Sequence, residues 1–288
     1  MYSSVFYSRP PLSATIWQNP VGLYDIVVQR GYSWREYSVV TQDGYILTMQ
    51  RINGKNISRP VFIQHGVLSS SVDWLIGIAC VLADSGFDVW LGNVRGNIYS
   101  RAHSTLSPDE DEFWNFSFED HAAFDIPAMV SFVLTSTNKD QLVYIGHSQG
   151  SLIGLIQLSR NQEFADKVAL MIALAPTLSF QGVYCPFLSL APYYRHFYVY
   201  SYLLQSSIQF LSLKTTPPLY NVSNIHTPIV IVASEDDVLF QNVRFLESTF
   251  PNVVESIWLD NFAHLDFVLG REVVDRVYKP LISAIERH

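Results

Sequence analysis

From Tyr37 to Ile52 apolar and polar positions alternate, and the alternation is interrupted by Gln42-Asp43-Gly44-Tyr45. Period-two alternation on both sides of an Asp-Gly turn predicts a β-hairpin with one face buried. After it the pattern changes. Residues 60–64, 87–91, 141–145, 168–173, 228–232 and 253–259 are short, nearly continuous apolar runs. Such runs predict strands covered on both faces, because a strand with one wet face would keep its polar alternation. The intervening stretches carry helical spacing: 72–85, 117 to about 134, 149 to about 160, and 272–287. Ser117-Phe118-Glu119-Asp120 fits a capping box that opens the second of these. Strands alternating with helices predict an α/β protein, a mostly parallel central sheet flanked by helices. In such sheets functional groups collect at the carboxyl ends of the strands.

Composition narrows this picture. With 288 residues, 49% of them apolar, the chain can bury one large core and still carry an insertion. At 15% charged residues it is far from a disordered composition. A net charge of -8 argues against nucleic acid or an anionic membrane as partner, since a phosphate surface would repel it. Apolar runs are too short to span a membrane. Met1 to Pro20 lacks the charged-then-apolar order of a signal peptide. The two cysteines, Cys80 and Cys185, cannot form a disulfide scaffold, and Cys80 reads as a buried thiol in an apolar helix. Sequons for N-glycosylation occur at Asn56, Asn115 and Asn221.

The chemistry gathers at three strand ends. Gly146-His147-Ser148-Gln149-Gly150 follows the run Leu142–Ile145 and precedes Ser151–Ile156. A strand, a sharp turn and a helix with serine at the apex present a hydroxyl clear of the sheet, and the flanking glycines make the turn sterically possible. A serine hydroxyl needs a base to become a nucleophile, best a histidine held by a carboxylate. Asp236 and Asp237 follow the strand at 228–232, and His264 follows the final strand. The order Ser, acid, His is that of α/β-hydrolases. Asp237 is preferred to Asp236 because of its spacing to Val238-Leu239. The oxyanion of the tetrahedral intermediate would be met by backbone N–H groups, the Gln149 amide and the Val67 amide in His65-Gly66-Val67. His65 would shape that loop and His147 would pack or hydrogen-bond locally. His103, His121, His196 and His226 show no metal-ligand spacing, so no metal site is expected.

Several strings carry a closer likeness: Thr41-Gln42-Asp43-Gly44-Tyr45, Gln64-His65-Gly66, Asp88-Val89-Trp90-Leu91-Gly92-Asn93 with Arg95-Gly96-Asn97, Gly146 to Gly150, Pro217-Pro218 with Tyr220-Asn221-Val222, and His264-Leu265-Asp266-Phe267. In these the chain resembles the acid lipase family, which includes gastric and lysosomal acid lipases. The resemblance implies an α/β-hydrolase core over 1–176 and 228–288 and a helical cap over 177–227. It implies a triad of Ser148, Asp237 and His264 and an oxyanion hole at Val67 and Gln149. It also implies cofactor-free hydrolysis of neutral lipid esters such as triacylglycerols and cholesteryl esters, peripheral contact with a lipid interface, and a lysosomal or secreted location. The cap is shorter than the family's, about fifty residues. It is rich in aromatics (Tyr193, Tyr194, Phe197, Tyr198, Tyr200, Tyr202), and Cys185 stands alone in it. A short cap keeps two alternatives open: a carboxylesterase for short-chain soluble esters, and a catalytically silent lipid-binding protein.

Overall fold

In the computed structural model, the structure describes residues 27–53, 58–75, 77–177, 220–239 and 244–288. The expected cap lies almost wholly in 178–219, outside the described residues, as do Cys185 and the sequon at Asn56. The strands are β1 (Ser33–Val40), β2 (Tyr45–Asn53), β3 (Pro60–Gln64), β4 (Asp88–Gly92), β5 (Ala102–His103), β6 (Leu142–His147), β7 (Val168–Leu174), β8 (Ile229–Ala233) and β9 (Val253–Trp258). They form one sheet in the order β1-β2-β4-β3-β6-β7-β8-β9, with β5 paired to β2. From β4 through β9 all pairs are parallel. The hairpin β1–β2 and the pairings of β2 with β4 and β5 are antiparallel.

The apolar runs become strands buried on both faces. In β3, Phe62 joins one core while Val61 and Ile63 join the other. In β8, Ile229 and Ile231 face the first core and Val230 and Val232 the second, as the two-residue period of a strand requires. Helices α1 (Ile78–Asp84) and α4 (Lys279–Arg287) cover one face through Ile78, Leu82, Leu281 and Ile285. Helices α2 (Ile126–Thr137) and α3 (Gln149–Arg160) cover the other through Met129, Val133, Leu152 and Ile156. The expected mostly parallel, helix-flanked sheet is what forms.

Local differences have local causes. The helix expected over 72–85 is two pieces, Val72–Leu75 and α1, separated at Gly77, a residue that weakens helix continuity. The capping box at Ser117 is present, with the Asp120 carboxylate accepting from the Ser117 amide at 2.7 Å. It leads into α2 through a π-helical stretch, His121–Asp125. No helix among the described residues is long and apolar enough to cross a membrane.

Candidate active site

The nucleophile elbow is built by sterics. Ser148 adopts φ 54° and ψ -119°, a conformation that L-residues rarely take, between the end of β6 and the start of α3. A Cβ on Gly150 would meet the His65 carbonyl oxygen at 2.7 Å, and the Gln64 carbonyl as well. Only a hydrogen there lets α3 start so close to the end of β3. Ser151 Oγ donates to the Gly146 carbonyl at 2.6 Å, and the Ser148 amide donates to Leu174 of the neighbouring strand at 3.0 Å, so the turn is fixed on both sides. Ser148 is 2% exposed, and its Oγ makes no hydrogen bond among the described residues. In a ligand-free site a nucleophile–base contact is often open and closes on substrate.

His264 lies in the loop after β9. Its Nδ1–H donates to Asp237 Oδ2 at 2.6 Å, within the range of a charge-assisted bond. Asp237 is 3% exposed, and its other oxygen accepts the Leu239 amide at 3.1 Å. Asp236 points elsewhere: it is exposed, and its carboxylate accepts the Asn261 amide at 2.6 Å, tying down the loop that carries His264. Of the two adjacent aspartates, only Asp237 pairs with the imidazole.

On the other side of the serine, the loop 65–69 turns sharply at Leu68, whose φ is 61°. A Cβ on Gly66 would lie 3.1 Å from Ser148 Cβ, so a bare backbone is what brings this loop against the elbow. The Val67 amide carries no hydrogen bond among the described residues, and the Gln149 amide is at the first turn of α3, where no intrahelical acceptor exists. Both residues line one small cavity of about 20 Å³, together with Gly66, Leu68, Arg95 and His121.

Polar groups beneath the cavity hold it in place. His65 Nδ1–H donates to the Gly66 carbonyl at 2.7 Å, and its Nε2 accepts from Asn97 Nδ2 at 3.0 Å. Burial pushes its pKa down to about 4, so the ring is a neutral brace. Arg95 is 1% exposed. Its guanidinium bonds Asp125 through Nε at 2.8 Å and Asp43 through Nη2 at 2.9 Å, and it stacks on Tyr45 at 3.9 Å. Burial works against its charge, but the two carboxylates outweigh it and raise its pKa. Asp125 is pushed up to about 6 by burial, against the pull of Arg95.

His121 is a residue that the sequence pattern did not single out. It is 3% exposed, and neither ring nitrogen has a hydrogen-bond partner among the described residues. Burial and the nearby Arg95 charge hold its pKa well below the usual value. Its place on the cavity wall comes from the π-helical stretch, which no residue spacing announces. His147 also differs from expectation. Its partner is not local, because Nε2–H donates to the His264 carbonyl, 117 residues away, at 3.0 Å. Among the described residues no group of three His, Cys, Asp or Glu side chains is arranged to hold a metal.

Comparison with known proteins identifies the family and the fold. Residues 23–78 match a family model described as a partial alpha/beta-hydrolase lipase region, and 59–183 match one described as the alpha/beta hydrolase fold. Gastric triacylglycerol lipase of Bos taurus is 30% identical over 349 aligned positions, covering 88% of this chain and 88% of that protein. The chain belongs to the acid lipase family. Other acid lipases align over a shorter stretch at higher identity. The lysosomal acid lipase/cholesteryl ester hydrolase of Macaca fascicularis is 42% identical over 180 residues, 58% of this chain and 45% of that protein. In that alignment the chain spans less than half the length of its relative. Among solved structures, a Pyrococcus furiosus esterase superposes with a TM-score of 0.66 at 16% identity, covering 96% of this chain and 97% of that one. A carboxylesterase from Bacillus subtilis gives 0.64 at 18% identity, covering 93% and 97%. At those identities the likeness is one of fold. The core seen here is thus the α/β-hydrolase fold, as expected from the order Ser, acid, His and from the family resemblance.

Proposed function

We propose that this acid lipase family member hydrolyses carboxylic esters of neutral lipids through an acyl-enzyme on Ser148. The observation that carries the reading is the buried Asp237–His264 bond at 2.6 Å, formed between two strand ends beside a serine elbow. Asp237 accepts at Nδ1, which leaves the His264 Nε2 lone pair to take the Ser148 proton as Oγ attacks the ester carbonyl. The oxyanion formed is met by the Val67 and Gln149 amides, preorganised donors worth about 3 kcal/mol each in comparable sites. The imidazolium then gives its proton to the leaving alcohol. Water, deprotonated by the same ring, releases the fatty acid and returns Ser148. Every group in this scheme belongs to the chain itself.

Triacylglycerols and cholesteryl esters are the substrates that the names of the aligned relatives supply. Those names, lysosomal and gastric, together with exposed sequons at Asn115 and Asn221, support a lysosomal or secreted location and peripheral contact with a lipid surface. The test is hydrolysis of p-nitrophenyl esters from acetate to palmitate, beside Ser148→Ala. Activity on long chains that is lost in the variant is the expected result. A rate that collapses beyond short acyl chains would replace the lipase with a short-chain esterase. Lipid binding without hydrolysis in a folded parent would replace both with a silent binding protein.

A further inference from the structure

Asp237 fixes only one edge of the His264 imidazole. Catalysis also requires the opposite edge to be aimed at Ser148 Oγ. The loop that carries His264 is tied down at Asn261 by Asp236 and at Ala263 by Asp266 Oδ2, which accepts that amide at 2.8 Å. The tie at position 264 itself comes from His147, the residue preceding the nucleophile. Its Nε2 is 3.0 Å from the His264 carbonyl oxygen, and the two rings face each other with centroids 4.8 Å apart at 39°. Behind it the Trp74 ring meets His147 edge-on at 6.0 Å. A Cβ on Gly66 would lie 3.2 Å from His147 Nδ1, so the ring also touches the oxyanion loop.

We propose that His147 is a positioning residue: by one hydrogen bond to the His264 main chain and one ring contact, it sets the catalytic imidazole directly against the elbow that bears Ser148. The proposal rests on reading Ser148 and His264 as nucleophile and base. It follows from connectivity. One peptide unit, one hydrogen bond and one ring contact join the two groups, with no helix or long loop between them to give way. Because the partner is a carbonyl oxygen, Nε2 must carry the hydrogen, and the tautomer is fixed. The ring must also stay neutral, since a second cation 4.8 Å away would oppose the imidazolium of the transition state. Burial provides this by pushing the His147 pKa down to about 3, an effect reinforced by the neighbouring His264 and His65.

The test compares His147→Phe, which keeps a flat ring and removes the donor, with His147→Gln, which keeps an uncharged N–H donor. The assay is p-nitrophenyl butyrate hydrolysis by the full chain. Far-UV circular dichroism verifies folding, and the imidazole protons of His264 are followed by NMR. His147→Phe should lower kcat by about ten- to a hundredfold, the usual result of a misaimed group, with KM within about twofold. His147→Gln should recover at least about half of that loss on a logarithmic scale, and the His264 Nδ1–H resonance should shift in the Phe variant only. Equal losses in both variants, or a Phe variant with parental kcat, would overturn the proposal. A parent that neither hydrolyses the ester nor labels with a fluorophosphonate at Ser148 would sink the hydrolase reading instead. In that event the His264 resonance still decides, because the same shift in parent and Phe variant overturns the tether by itself.

Discussion

Acidification from pH 7 to pH 5 is a perturbation whose effect can be worked from four buried groups. His65 and His147 have folded pKa values pushed down to about 4 and about 3, and that of His121 is also well below the ordinary 6.5, in each case chiefly by burial. A group whose folded pKa is depressed contributes stability above its unfolded pKa and loses it as pH falls toward the folded value. Between pH 6.5 and about 4, then, unfolding takes up about one proton each for His65 and His147, and His121 adds uptake in the same sense. Asp125 works in the opposite sense: raised from 3.8 to about 6, it holds a proton in the folded state at pH 5 that the unfolded chain has released. Asp73, raised by burial, adds to that opposition. Integrating from pH 7 to 5, His65 and His147 together cost about 4 kcal/mol and Asp125 returns about 1, a net loss of about 3 kcal/mol that His121 increases in the same direction.

That is a large share of the 5–15 kcal/mol by which domains are typically stable, so the effect should be plain in urea. With a slope of about 2–3 kcal/mol per molar urea, the unfolding midpoint should fall by at least about 1–1.5 M between pH 7 and pH 5. His121→Met removes one proton-accepting site while keeping an apolar side chain on the cavity wall. It should shrink the pH 7-to-5 loss. A parental midpoint that is unchanged or higher at pH 5 would refute the reasoning, as would a His121→Met protein with the full parental pH dependence.

Asp237→Asn should lower kcat by about a thousandfold, because two unit charges about 4 Å apart at an effective dielectric of about 20 attract by about 4 kcal/mol. Asp236→Asn keeps an acceptor for the Asn261 amide and should stay within about threefold; equal losses on p-nitrophenyl butyrate would contradict the observed pairing. Arg95→Met leaves the buried Asp125 without its ion-pair partner and should destabilise by about 3–5 kcal/mol in urea at pH 7, and a loss under about 1 kcal/mol would show that the network is dispensable. Gly66→Ala puts a methyl 3.1 Å from Ser148 Cβ and 3.3 Å from the His147 carbonyl oxygen. It should lower kcat about tenfold or more with the urea midpoint nearly kept, and parental kcat would show that the loop has slack.

What was legible in the chain was what a few adjacent residues decide. The runs at 60–64 and 228–232 read as strands because each is buried on both faces and needs no polar alternation. The capping box at Ser117 and the elbow at Ser148 were legible for the same reason, since their geometry closes within five residues. The break at Gly77 and the two-residue strand β5 were not foreseen, because both depend on what packs opposite them. The site divides along the same line. Ser148 and His264 announce themselves through the turn and the order of strand ends. Spacing to Val238-Leu239 already favours Asp237 over Asp236, and direction carries the choice further: two neighbouring side chains leave the backbone on different sides, and only one meets the imidazole. His121 and His147 belong to the same class of fact. One reaches the cavity through a π-helical turn, and the other binds a main-chain oxygen 117 residues further on. A histidine flanking an elbow serine carries no local signal of that bond, because the bond forms only after the sheet has brought β6 and the β9 loop together. The residues best hidden from a reading of sequence are thus those that join separate strand ends, and in this fold such joints hold the reacting groups in register.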